Sequence, residues 1–209
     1  MSRVLFYTRY ERIWHWAQAL GIILLLLTGF QLHYPDKFPL FGSLTNAVKI
    51  HGIIGFLLLL NAFLGFFYTV TSNKIHQYIP IPKDFTRGMF EQARYYVWGI
   101  FHGEPHPFEK TVHKKLNPLQ KITYFFLLNL LLPFQIVTGV LLWSASSYPD
   151  FMDRFGGLLV LGPLHTIGAF LFLSFLIVHI YLTTTGHTPL DYMKQMITGY
   201  GHVPDNSQE

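Results

Sequence analysis

Two histidines fourteen residues apart in a long apolar stretch are the residues best placed to carry chemistry. The stretch runs from Gly156 to Gly186, contains no charged residue, and includes His165 and His179. As a helix it would be about 45 Å long, enough to cross a tilted bilayer. The two histidines would lie on one face, roughly 21 Å apart along the axis. Ionisable side chains are costly in hydrocarbon, so each histidine indicates a functional site.

The composition indicates an integral membrane protein. Of the 209 residues, 51% are hydrophobic and 12% are charged, a balance unlike that of a soluble domain. The chain has no cysteine, which excludes disulfides, thiolate metal sites, iron–sulfur clusters and covalent c-type haem. The net charge of +4 comes without a nucleic-acid-binding motif, so we expect no nucleic-acid partner.

Four apolar segments predict an all-α integral membrane fold, a four-transmembrane-helix bundle that forms a single membrane domain over residues 1–209. The predicted spans are residues 13–32, 48–70, 122–145 and 157–186. We expect the first span to be retained, because it lacks the small-residue cleavage site of a signal peptide. Pro133 predicts a kink in the third span.

The polar segment 71–120 separates the second and third spans. Within it, apolar residues recur at helical spacing between Asp84 and Phe101, with charged residues opposite. This pattern predicts an amphipathic helix at the cytoplasmic membrane interface.

Basic residues predict the orientation of the chain. If the four spans cross in turn, twelve of the fifteen Lys and Arg residues fall on the side of the N-terminus. Cytoplasmic loops carry an excess of such residues, so both termini are predicted to be cytoplasmic.

This orientation sorts four histidines into two pairs at matched depth. His51 and His165 fall on the outer side, whereas His15 and His179 fall on the inner side. Imidazoles from two facing helices are what six-coordinate haem b requires above and below its ring. We therefore predict two haem b groups, with these four histidines as the ligands of their iron.

Small residues lie near the outer pair. Gly55 and Gly168 follow His51 and His165 by about one turn on the same helix faces, where they would admit a flat macrocycle. The alternative for any single histidine is a hydrogen-bonded core residue. Four histidines at matched depths favour haem.

The residues that open the third span allow two interpretations. Asn117 can cap the helix, with Pro118 as its first residue. Alternatively, Asn117, Gln120 and Lys121 can present amide and ammonium groups to a quinone head near the inner haem. The spacing alone does not decide between them.

A second metal site can be drawn in the cytoplasmic segment from His102, Glu104, His106 and Glu109. Its Pro-rich setting disfavours this alternative.

Together these residues resemble a known family, the membrane di-haem cytochrome b subunits of respiratory oxidoreductases. Its members are the formate dehydrogenase gamma subunit, the thiosulfate reductase cytochrome b and the hydrogenase b-type cytochrome. The resemblance is carried by Arg12 and His15, by His51, by His165 and His179, and by Asn117-Pro118-Leu119-Gln120-Lys121.

The resemblance implies a role for each matched residue. His51 and His165 would bind the outer haem, His15 and His179 the inner haem, and Asn117 would lie at a menaquinone site. Formate dehydrogenase gamma subunits have a glycine two residues after that asparagine. This chain has Leu119 there, which favours the thiosulfate reductase type.

The resemblance also implies an electron-transfer subunit and membrane anchor in the bacterial cytoplasmic (inner) membrane. It would connect a menaquinone or ubiquinone pool near the cytoplasmic side to an extracytoplasmic iron–sulfur or multihaem cytochrome subunit, and through it to a catalytic subunit. We expect the substrate chemistry to belong to those partners.

Two alternatives stay open at this point. One is a stand-alone di-haem b quinol or superoxide oxidoreductase. The other is a histidine-lined metal transporter, which the lack of an intramembrane Asp or Glu disfavours.

Overall fold

The computed structural model describes residues 2–108, 110–112, 114–145, 147–186 and 188–203, with only the backbone of Ser2, Met152 and Val203. These residues form two compact units. The first unit holds the described residues of segments 1–12, 67–130 and 179–209, and the second unit holds segments 13–66 and 131–178. That the chain forms a single membrane domain stays a prediction.

The described part of the chain is mostly helical. The helices are α1 (Arg9–His33), α2 (Leu44–Thr71), α3 (Met89–Val97), α4 (Pro118–Ser144), α5 (Pro149–Asp153), α6 (Gly157–Thr183) and α7 (Asp191–Thr198). Of the described helices, α1, α2, α4 and α6 are long and apolar enough to cross a membrane, which confirms the prediction of four long apolar helices. The first three begin four residues earlier than predicted, because backbone hydrogen bonding continues into the polar turns beyond the apolar segment.

Helix α4 is irregular near its middle. Regular helix over Pro118–Phe126 gives way to a π-helical turn, Leu127–Leu131, before α-helix resumes at Leu132. Pro133 has no N–H to donate and its ring crowds the preceding turn. The sequence predicted a kink at Pro133. The structure has a π turn on the N-terminal side of this proline.

The segment between α2 and α4 contains a shorter amphipathic helix than predicted. A π turn over Asp84–Gly88 precedes α3, which ends at Val97, and a 3₁₀ turn follows over Gly99–His102. On α3, Gln92, Tyr95 and Tyr96 are buried. Val97, which the periodicity places on the apolar face, is 77% exposed.

A two-stranded antiparallel sheet joins the two ends of the described chain. Strand β1 (Ser2–Leu5) pairs with β2 (Tyr200–Val203), with Leu5 opposite Tyr200. Gly199, which precedes β2, has a φ of +88°, and a Cβ there would lie 2.6 Å from the carbonyl oxygen of Tyr7. Glycine is therefore required at this turn.

Candidate functional site

The four predicted haem ligands lie on three of the long helices. His15 is on α1, His51 is on α2, and His165 and His179 are on α6. His15, His51 and His165 belong to the second unit, whereas His179 belongs to the first. The pairing of His51 with His165 can therefore be examined within one unit.

The structure brings the rings of His51 and His165 close together in an edge-on arrangement. Their ring centroids are 6.3 Å apart and their planes are inclined by 70°. An imidazole nitrogen binds a first-row metal at about 2 Å, so two imidazoles on opposite sides of one metal have ring centres about 6 Å apart. The observed separation fits a single metal between the two rings.

A threonine hydroxyl contacts Nδ1 of each of these two histidines. Oγ1 of Thr28 lies 2.7 Å from Nδ1 of His51, and Oγ1 of Thr138 lies 2.9 Å from Nδ1 of His165. Both hydroxyls also donate to a backbone carbonyl one turn back in their own helix. A hydroxyl has one hydrogen, so each threonine oxygen accepts from Nδ1–H, which leaves Nε2 unprotonated. Unprotonated Nε2 is the form that binds iron.

A cavity of about 410 Å³ adjoins the two histidines within the second unit. Its walls are largely apolar, and its size is within the range of small-molecule and cofactor sites. Four glycines lie on its walls: Gly29, Gly52, Gly55 and Gly139.

The glycines keep the cavity open beside the histidines. A Cβ on Gly139 would lie 3.1 Å from Cε1 of His165, whereas one on Gly55 would have no described neighbour within 4 Å. At Gly168, the side chain of Gln135 occupies the place that a Cβ would take. The lack of a side chain on Gly168 therefore makes room for the Gln135 amide. The donors, the spacing and the cavity fit a haem at His51 and His165.

Gln135 also contacts His165 directly. Its amide nitrogen lies 3.1 Å from Nε2 of His165 and 3.2 Å from the carbonyl oxygen of the same residue. Its donation to Nε2 agrees with the tautomer set by Thr138. If Nε2 of His165 held a metal, this bond would be lost, whereas the bond from Gln135 to the carbonyl could remain.

His179 has a similar hydroxyl neighbour in the first unit. The Tyr124 hydroxyl lies 3.4 Å from Nδ1 of His179. His15 contacts the ring of Trp16 edge-on, with centroids 5.3 Å apart. Because His15 and His179 belong to different units, their pairing stays a prediction.

The candidate quinone residues form the N-terminus of α4. Asn117 is the N-cap: its Oδ1 accepts from the Gln120 backbone N–H at 2.8 Å, and the Gln120 side chain accepts from the Asn117 N–H at 3.1 Å. The amide nitrogen of Asn117 donates to the Tyr96 hydroxyl at 2.8 Å, and Nζ of Lys121 lies 3.7 Å from Oδ2 of Asp84. The capping interpretation is confirmed, and contact with a quinone stays a prediction.

Burial also affects ionisable groups beside this helix start. Tyr96 is buried against Asn117, and burial raises the pKa of its hydroxyl to about 12. In the loop before α4, burial lowers the pKa of Lys110 to about 8, and its ammonium lies 3.5 Å from the centre of the Tyr192 ring.

A partly buried ion cluster in the first unit was not predicted from the sequence. Oε1 of Glu11 accepts from Nζ of both Lys74 and Lys115 at 3.0 Å, and Oε2 accepts from the Thr8 N–H at 2.7 Å. The Tyr68 hydroxyl accepts a further bond from Lys74 at 2.9 Å. The lysines lie 63 and 104 residues from Glu11 in sequence, so no local pattern predicts the cluster.

The alternative metal site in the cytoplasmic segment gains no support. Glu104 forms an ion pair with Arg94, and His102 contacts the Trp98 carbonyl. Glu109 lies outside the described residues. Among the residues that are described, no group of three or more His, Cys, Asp or Glu side chains is placed to hold a metal ion.

Comparisons with known proteins agree with the haem interpretation. A family model described as prokaryotic cytochrome b561 matches residues 7–199. The chain is 36% identical over 204 residues to the protein named cytochrome YdhU in Escherichia coli (strain K12), which covers 95% of this chain and 75% of that protein.

More distant similarity extends to subunits of named enzymes. The chain is 28% identical to a Ni/Fe-hydrogenase B-type cytochrome subunit of Rhizobium leguminosarum bv. viciae, over 82% of this chain and 76% of that protein. It is 21% identical to the protein-methionine-sulfoxide reductase subunit YedZ1 of Azospira oryzae, over 81% of this chain and 85% of that protein.

Proposed function

The chain belongs to the prokaryotic cytochrome b561 family, and from this premise we propose that it is the di-haem b anchor and electron-transfer subunit of a respiratory oxidoreductase. It is a membrane b-type cytochrome, and its four apolar helices make it a multi-pass protein of the bacterial inner membrane. Its proposed role is to move electrons between a quinone pool near the cytoplasmic side and an extracytoplasmic partner subunit.

The observation that carries the proposal is the His51–His165 pair, with ring centroids 6.3 Å apart beside an apolar cavity. A haem bound there supplies one-electron chemistry. The chain's own residues supply the rest. His51 and His165 hold the iron, Thr28 and Thr138 orient the two imidazoles, and the apolar walls exclude water.

The second haem is proposed at His15 and His179, as the family resemblance implies. In support, the Tyr124 hydroxyl lies near Nδ1 of His179, as the two threonines do at the other pair. Acceptance of the Nδ1 hydrogen by this hydroxyl would leave Nε2 as the ligand atom.

Menaquinone or ubiquinone is proposed to exchange electrons near the start of α4. Asn117, Gln120 and Lys121 are the candidate residues for its polar head. Asn117 already donates one amide hydrogen to Tyr96, and an amide nitrogen carries two. Lys121 keeps a positive charge at this boundary, where it would favour a quinone head with developing negative charge.

Helix α3 is proposed to lie at the membrane interface. Large apolar side chains on and just after it are exposed in the structure, as for a segment facing lipid: Phe90 (67%), Val97 (77%), Trp98 (56%) and Phe101 (72%). With the twelve basic residues on the same side of the spans, this exposure supports a cytoplasmic position for α3 and both termini.

The partner is proposed to dock on the opposite side, near the His51–His165 pair. Hydrogenase cytochrome subunits among the relatives point to a catalytic complex. The connections His33–Ala47 and Ser144–Phe155 would then contact an iron–sulfur or multihaem cytochrome subunit. Crosslinking in membranes should join these connections to that subunit. Crosslinks confined to segment 71–120 would place the partner in the cytoplasm.

A pyridine haemochrome assay on the purified protein tests the function. We expect two b haems per chain, with one lost in His165→Ala and none in His76→Ala, an exposed control. The same assay separates a cytochrome from a metal transporter. Full haem content in His165→Ala would overturn the assignment.

A further inference from the structure

Among the described residues, two glutamines are fully buried, and they differ in what they bind. Gln31, 1% exposed, donates to the Gly42 carbonyl at 2.9 Å and accepts from the Phe41 N–H at 2.8 Å. Gln92, 0% exposed, has no hydrogen-bond partner for either its amide oxygen or its amide nitrogen among the described residues. A buried amide without partners is destabilising, so Gln92 has a cost that Gln31 avoids.

The neighbours of Gln92 show what it faces. Gly88, which has helical dihedrals, and Tyr96 lie four residues before and after Gln92, on the same face of α3. A Cβ on Gly88 would lie 2.9 Å from Cβ of Pro118, and the Tyr96 hydroxyl accepts from the Asn117 amide. Both neighbours contact the first residues of α4, so the side of α3 that carries Gln92 faces that helix start.

We propose that the Gln92 amide is a hydrogen-bonding residue for the quinone head, next to Asn117 at the junction of α3 and α4. This inference rests on the proposed quinone function and names one more residue of the same site. The chemistry suits the ligand, because an amide both donates and accepts. It can donate to the carbonyl of a quinone and accept from the hydroxyl of a quinol, whereas the Lys121 ammonium can only donate.

The test compares Gln92→Met with Gln31→Met, because methionine keeps the length of glutamine and removes the amide. Haem reduction by a short-chain menaquinol is followed spectroscopically over a range of quinol concentrations, with dithionite reduction and thermal unfolding of each holoprotein as controls. Gln92→Met should raise the KM for menaquinol about tenfold or more, with unchanged haem spectra and no loss of thermal stability. Gln31→Met should lower the melting temperature and leave the KM unchanged.

A KM within twofold of wild type in Gln92→Met, while wild type is reduced normally, would overturn the inference alone. Wild-type protein that no quinol reduces would overturn the proposed quinone function together with it.

A second measurement avoids mutation altogether. A photoreactive quinone analogue should label the peptide that contains Met89–Val97 in the wild-type holoprotein, and excess menaquinone should compete for that labelling. Competed labelling found only on other peptides would contradict the proposal.

Discussion

The Thr28 hydroxyl lies 2.7 Å from Nδ1 of His51, and this contact selects the tautomer that can bind iron. Thr28→Val keeps the side-chain shape and removes the acceptor. Because a hydroxyl that bonds the other ring nitrogen orients a metal-binding histidine, we expect the affinity of the His51–His165 site for haem to fall about 10- to 100-fold. Haem titration of the apoprotein measures this affinity.

The matched control for this change is Thr71→Val, on the same helix as His51. The Thr71 hydroxyl is exposed and donates to the Phe67 carbonyl. We expect Thr71→Val to bind haem with the affinity of the wild type. Equal affinity in Thr28→Val and wild type would mean that the hydroxyl does not orient His51.

Asn117 caps α4 and is proposed to contact the quinone, and separate variants can distinguish these two roles. Asn117→Ser keeps an N-cap oxygen and loses the amide, whereas Asn117→Ala loses both. Loss of the cap should cost about 1 kcal/mol of stability in Asn117→Ala and less in Asn117→Ser. If the amide contacts the quinone, both variants should slow haem reduction by menaquinol roughly tenfold to a hundredfold, the equivalent of about 1.5–3 kcal/mol.

Stopped-flow kinetics measure the effect of these substitutions on the rate of haem reduction. Thermal unfolding measures their effect on stability. Haem spectra should be unchanged in both variants. A wild-type rate in Asn117→Ser would restrict Asn117 to its role as a helix cap.

Glu11 is the shared acceptor of Lys74 and Lys115, so its single negative charge faces two ammonium groups. Glu11→Gln retains the shape but leaves the largely buried Lys115 beside a neutral amide. Because removing one partner of a buried ion pair uncovers a charge, we expect a loss of about 1–3 kcal/mol in unfolding free energy, reduced by partial exposure.

Denaturant unfolding in detergent, followed by tryptophan fluorescence, measures this loss. Glu91→Gln, which breaks the exposed Arg87–Glu91 pair, is the matched control and should change little. Equal effects of the two substitutions would show that the Glu11 cluster is not stabilising.

Lys110 makes stability depend on pH. Burial lowers its pKa to about 8, whereas an unfolded lysine titrates near 10.4. Between these values the unfolded state binds a proton that the folded state has released, so this group makes stability rise with pH across the interval. Lys110→Met should therefore raise the melting temperature at pH 7, and its advantage over wild type should shrink towards pH 10.

Melting curves of wild type and Lys110→Met at several pH values test this dependence, with the exposed Lys83→Met as control. Comparing the two proteins at each pH cancels the other titrating groups. A difference that stays constant from pH 7 to pH 10 would contradict the prediction.

The sequence was sufficient for features that depend on long apolar runs and helical spacing. The sequence predicted the four candidate spans. It also predicted His51 and His165 at one depth, and the structure brings these two residues together. Asn117 and Pro118 correctly predicted the start of α4, because capping is a local interaction.

Features that depend on contacts between distant segments were not predicted. A threonine in an apolar helix has no distinctive pattern, so the bonds of Thr28 and Thr138 to the histidines emerge only when helices pack. The ion cluster at Glu11 joins residues far apart in sequence. Strands β1 and β2 are four residues each, too short for alternation to be recognised, and they meet across almost the whole chain.

The sheet formed by these strands has a consequence for how the protein is made. Strand β1 precedes the first span and β2 follows the fourth, so the ribosome releases the partner of β1 only after every span has been synthesised. Until then β1 keeps an unpaired edge, which is a site for wrong pairing with another chain. Closure of the sheet thus distinguishes a chain whose fourth span has been synthesised from one at an earlier stage.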